Sequence, residues 1–199
     1  MIQVWQKQLL VALKLFRQEW REVGQYSIAI KPGRYRVSVA GSGGLGAVGA
    51  SSNFHGGNGE LVVEEIVLTS DTTLNIWVAG AQKGNPWDGA YGAVRGGDGG
   101  RAYSGNVVVA SGGGGGGQSK VATEDASVNI IANGGGGMFG FAGSTANAAG
   151  GTGSGGARGG ITRTDGNGLN AGNGNGGIGA RTQGTNAAGN GWVIIEQIP

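Results

Sequence analysis

The stretch Tyr35–Gly49, YRVSVAGSGGLGAVG, carries an alternating run, Tyr35, Val37 and Val39, that opens directly into glycine. The alternation predicts a strand with one buried face. The glycine half has two readings. Gly41, Gly43 and Gly46 match G-x-G-x-x-G, the pyrophosphate loop of a dinucleotide-binding βαβ unit. That loop needs a helix after its third glycine. Here AVGASSNFHGGNGE follows, with Gly49, Gly56, Gly57 and Gly59 set among Ser51, Ser52 and Asn53, a composition that does not hold a helix. The second reading is a period of three through Gly43, Gly46 and Gly49, the repeat of the polyproline-II helix, which has no internal hydrogen bonds.

The same period recurs at Gly134, Gly137, Gly140 and Gly143, and at Gly150, Gly153, Gly156 and Gly159, while Gly112–Gly117 fits any phase. Glycine accounts for 48 of 199 residues and proline for three, too little proline for a collagen triple helix. A bundle of polyglycine-II helices is the expected arrangement, each rod bonding its neighbours through faces that lack side chains. Ordering each residue costs about 1–2 kcal/mol and glycine returns almost no apolar burial. Inter-rod bonds at about 0.5–1.5 kcal/mol net must offset this, so the rods need fixed ends. The motifs VSVAGSGG (37–44), IWVAGA (76–81), VVVASGGGGGG (107–117) and IIANGGGG (130–137) supply them, each a short β run leading into glycine.

Residues 2–20 place Ile2, Trp5, Leu9, Leu13, Phe16 and Trp20 at steps of three and four, which predicts an amphipathic helix ended by Gly24, packed on its own domain or on another protein, with a membrane surface disfavoured by the mixed charge of its polar face. Strands are expected at 26–30 and 35–39, joined as a hairpin through Lys31-Pro32-Gly33-Arg34. A second pair is expected at 60–68 and 73–78, with further strands at 106–109, 128–131 and 192–195. The expected fold class is mainly β and irregular: a helical segment 1–24, a small antiparallel β-rich base 25–80 completed by strand 190–199, and a glycine-rich bundle 81–189 joined by loops.

The chemistry of a conventional active site is missing. There is no cysteine and one histidine, His55, so a Cys–His pair or multi-histidine metal site cannot be assembled. The carboxylates Glu60, Glu64, Glu65 and Asp71 lie on or beside strands, as a solvated face does. Asp165-Gly-Asn167-Gly-Leu-Asn170 lacks the bidentate Glu of a calcium loop. No cofactor, metal or catalytic residue is expected. The formal charge is +2, with scattered Lys and Arg, which argues against nucleic acid. No apolar run reaches membrane-spanning length, and Lys14 interrupts the run that would make a signal peptide, so synthesis in the cytoplasm without a leader is expected. Recognition by loops is what remains. Phe54, His55, Trp87, Tyr91, Phe139 and Phe141 lie between glycine tracts, either as caps on the rod ends or as exposed anchors on a rigid scaffold.

An apolar N-terminal segment, the tracts SGGGGGGQ (111–118) and NGGGGMFGFAG (133–143) and the aromatic residues between them resemble the distal-tip adhesins of T-even-like bacteriophage long tail fibres. The resemblance implies a polyglycine-II sandwich whose loops bind a host outer-membrane protein or surface glycan, located at the fibre tip of the virion. It also implies attachment of the N-terminal segment, through Trp5, Leu9, Leu13, Phe16 and Trp20, to a trimeric fibre protein. The β-rich 25–80 segment departs from that family and is similar to the glycine-rich module of some animal receptor tyrosine kinases. The rival expectations are a structural glycine-bundle protein of tail assembly or decoration and, third, an ice-binding protein.

Overall fold

A computed structural model describes residues 15–45, 56–80, 88–96, 98, 101–104, 107–111, 113–137, 140–142, 146–148 and 189–199. Two four-stranded antiparallel sheets form its base. The first has the order β1 (Arg17–Trp20), β12 (Trp192–Ile198), β3 (Gly33–Ala40), β4 (Leu61–Leu68). The second has the order β2 (Gly24–Ile30), β5 (Thr72–Val78), β8 (Ser119–Ala122), β9 (Asn129–Ala132). Period-two side chains turn inward from both: Tyr35, Val37, Val39, Val193 and Ile195 from one sheet, Leu74, Ile76, Val78, Val121 and Ile130 from the other. Each stabilises by roughly 1.5–3 kcal/mol when fully buried. Two small ribbons, β6 (Arg101–Ser104) with β7 (Val107–Ser111) and β10 (Gly140–Ala142) with β11 (Ala146–Ala148), stand apart from these sheets in pairing.

No helix occurs among the described residues, which corrects the expected N-terminal helix and with it the expected fold class. Residues 1–14, with Trp5, Leu9 and Leu13, lie outside the described residues. Arg17–Trp20 is an edge strand, paired with β12 from Arg17↔Glu196 to Trp20↔Val193. A spacing of four is even, so Phe16 and Trp20 share a face in a strand as well as in a helix. The unpaired side of β12 decides between the two. Trp20 is buried in the core against Tyr26, and Phe16 packs edge-on to Tyr35 at 6.1 Å. Gly24 opens β2 opposite Val78 instead of ending a helix.

The two expected hairpins are crossovers. β2 pairs with β5, and β3 pairs with β12 and β4, so the Lys31–Pro32 turn carries the chain from one sheet to the other. The turn between β4 and β5 does the same. Turn residues specify reversal, whereas the partner is chosen by burial: Ile30 and Tyr35 face each other across the core only if their strands lie in opposite sheets. Base and glycine segments also interleave along the chain, because β8 and β9, from within 81–189, complete the second sheet.

Glycine segments continue the strands at one end of the sandwich: 41–45 after β3, 56–60 before β4, 113–118 before β8, 133–137 after β9 and 189–191 before β12. The 41–45 segment is central. Gly41 and Gly44 N–H donate to Glu60 and Gly57 carbonyls at 2.9 Å each, and Ser42 and Leu45 donate to Gly117 and Gly114 at 3.2 and 2.9 Å. Gly43 donates to Gly189 at 3.0 Å. Partners therefore change with period three, as three residues per turn requires. The tight positions follow the same period in another phase than 43/46/49: a Cβ on Gly41 or Gly44 would fall well within 3.0 Å of the Asn133 or Gly136 backbone. Gly46 and Gly49 lie outside the described residues. Among described glycines only Gly33 has a positive φ, so the segments need glycine for the close approach of neighbouring backbones and not for a left-handed conformation. The 134–143 triplet series is shorter than its spacing implies, since Gly140 already belongs to β10.

Candidate recognition surface

Where rods meet sandwich, buried Ser42, Gln118 and Ser119 and half-buried Glu60 and Asn133 hold the two together. Ser42, fully buried, accepts from Gly117 N–H at 2.7 Å. Glu60 Oε2 accepts from both the backbone and side-chain nitrogens of Asn133 at 3.0 Å, and Gln118 Nε2 donates to Asn133 Oδ1 at 3.0 Å. Ser119 Oγ accepts from Ala79 N–H at 3.0 Å. The bonds to Gly117, Asn133 and Ala79 N–H satisfy backbone groups that a buried rod end would leave orphaned. Ser42, Gln118, Ser119 and Asn133 carry no signal of this role in the sequence, and Ser119–Ala122, where no strand is expected, forms β8. The 88–96 segment lies alongside 113–118, with Ala90 N–H donating to Gly115 and Gln118 N–H to Val94. Asp98 fastens it by accepting from Gly89 N–H at 2.7 Å and pairing with Arg95 at 2.6 Å.

Of the aromatic residues placed between glycine tracts, Tyr91 is the one whose side chain is described. It is 47% exposed and its Oη accepts from Gln25 Nε2 at 3.3 Å. Its carbonyl accepts from Gly80 N–H, which places it beside the end of β5. Phe141 is in β10, with its side chain outside the described ones, as are Phe54, His55, Trp87 and Phe139 altogether. Phe16 and Trp20 are occupied by the sandwich itself.

Tyr91 borders a surface that the sequence reading passed over. Leu74, Ile76 and Val78 of β5 are fully buried, so Asn75 and Trp77 point to the outer face. Cross-strand register puts Gln25, Trp77, Lys120 and Ile131 in one row across the second sheet. Lys120 Nζ stands 5.7 Å from the Trp77 ring centroid. The outer face of the first sheet differs in being laced by ion pairs, Glu65–Arg36 at 3.2 Å, Arg36–Glu196 at 3.6 Å and Glu196–Arg17 at 3.8 Å. There Arg21 lies over Trp192 at 5.7 Å but also pairs with Glu19. The Arg21 hydrogen bond is the main cause that holds the Glu19 carboxyl below its usual range.

At the opposite end of the sandwich, turns 69–71 and 123–128 flank an open polar groove. Asp125 is drawn down to about 2 by hydrogen bonds from Thr123 and Ser127, and Lys31 is raised by its bond to Asp71 at 2.6 Å. Burial raises the Tyr35 hydroxyl, which donates to the Lys31 carbonyl. Among the described residues no cluster of three metal-ligating side chains occurs, and no helix is long and apolar enough to cross a membrane. No protein-family model matches the chain, and no curated protein is similar to it in sequence.

Proposed function

We propose that the protein is a non-enzymatic attachment protein, acting as the receptor-binding tip of a phage tail fibre. The segments that join the glycine rods touch a host outer-membrane protein or surface glycan. One observation supports the reading above others: the rods prolong strands of a packed sandwich and bond to one another with period three. Segments leaving at Leu45 and Gly137, and returning at Gly56 and Gly189, thus start from fixed, closely spaced points. A loop whose two ends are fixed before it meets its target loses less entropy on binding than one with free ends. Docking to the fibre is not assigned to a helix, and Phe16 and Trp20 are already occupied.

The test is adsorption. Purified protein should bind host cells and compete with the virus. Of the single changes Trp87→Ala, Tyr91→Ala, Phe139→Ala and Phe141→Ala, at least one should weaken cell binding about tenfold or more, a loss of about 1.4 kcal/mol, with an unchanged melting temperature. A protein that binds no cells would instead be a structural part of the tail. Unchanged binding at all four positions would remove them from the contact.

A further inference from the structure

The geometry points to a saccharide site on the outer face of the second sheet, with Trp77 as its platform and Lys120 as the counter-ion of a carboxylate-bearing sugar. It lies on the sheet and not on the joining segments, with Tyr91 alone at its border. The row Gln25–Trp77–Lys120–Ile131 spans three strand spacings, roughly 14 Å, and is fixed by register instead of by loop conformation. Trp77 is half-buried in a strand, so its ring is held by the sheet. The faces of aromatic rings are electron-rich and the C–H bonds of a pyranose are slightly positive, so a sugar ring stacks on indole. Around that platform stand the groups that hydroxyls need: the Gln25 amide, the Asn75 amide one row along, and the Tyr91 hydroxyl, which Gln25 already holds at 3.3 Å.

Charge selects the sugar. Lys120 has no carboxylate within ion-pairing distance among the described residues, whereas Arg21, in the like position over Trp192, is paired with Glu19. The Lys120 ammonium lies over the Trp77 ring at 5.7 Å; a uronic acid stacking there displaces it from the ring face and takes it as the partner of its carboxylate, in a charge-assisted hydrogen bond.

The protein, with its indole N–H groups observed by NMR, is to be titrated with a uronic acid trisaccharide and with a neutral hexose trisaccharide of the same linkage. The Trp77 signal, identified by its loss in Trp77→Phe, should shift saturably with the acidic sugar and much less with the neutral one. Lys120→Gln, which removes a surface charge and leaves the fold intact, should weaken the acidic sugar about tenfold and leave the neutral one unchanged. Trp77→Ala, which lacks that signal and is titrated by calorimetry, should weaken both about tenfold or more, while Trp192→Phe on the opposite sheet should change neither. No saturable shift of Trp77 with either sugar overturns the site. Equal affinity for the two sugars, or an unaltered Lys120→Gln, overturns the acidic assignment.

Discussion

The sandwich and the glycine rods share one chain and one set of strand directions, yet they are held by opposite means. Tyr35, Val37, Leu74 and Ile195 remove apolar surface from water and interlock across two sheets. Gly41, Gly44, Gly134 and Gly137 remove almost none. Their contribution is to have no side chain, so that backbones approach and carbonyls find partners. One region is weakened by losing a methyl group and the other by gaining one. Neither could stand alone in this form, because the rods need the strands to fix their ends and the strand ends need the rods to satisfy their buried backbone.

That contrast can be broken at each side. The largest effect belongs to Leu74→Ala, which removes a fully buried side chain and should cost about 2–5 kcal/mol in denaturant unfolding. Next comes Gly44→Ala, the reverse change, where the added carbon meets the Gly136 carbonyl, a backbone atom that cannot swing aside. It should cost about 1–3 kcal/mol or more by the same measurement. An Ala at 44 as stable as the parent would mean that the rods are not in contact.

The smallest effect sharpens the comparison by touching neither the apolar core nor the rods. Asp125 sits in the β8–β9 turn with its carboxyl drawn from 3.8 to about 2. A depressed carboxyl stabilises the fold above its unfolded value and loses that contribution as pH falls through the folded one. Stability should therefore drop slightly between about pH 4 and pH 2, and Asp125→Asn should flatten that part of a melting-temperature profile. The same slope in the variant would assign the acid sensitivity to other carboxylates.

Much of the base can be read in the residues. Alternation at Tyr35–Val39, Leu74–Val78 and Val193–Ile195 predicts strands that are present, because burial on one face leaves a period of two. What cannot be read is which strand lies beside which. Lys31-Pro32 signals a reversal equally for a hairpin and for a crossover, and Ser119–Ala122 is too short and too polar at its start to announce a strand completed by Trp77's neighbours. Phe16 and Trp20 satisfy helix and strand alike until β12 is in place. The glycine period is local and visible, but its phase is set by distant backbones, which is why Gly41 and Gly44 are the tight positions. Trp77 was legible in principle, as the large residue on the outward beat of a strand whose inward beat is Leu74, Ile76 and Val78.

The threefold alternation of partners along 41–45 also governs which length changes the scaffold tolerates. One or two residues added to a rod rotate everything beyond them by a third or two-thirds of a turn, turning bulky positions toward a neighbour's backbone. Three residues restore every face. Lineages of this chain should therefore lengthen and shorten their rods in whole triplets, nine nucleotides at a time, while the segments joining them vary freely.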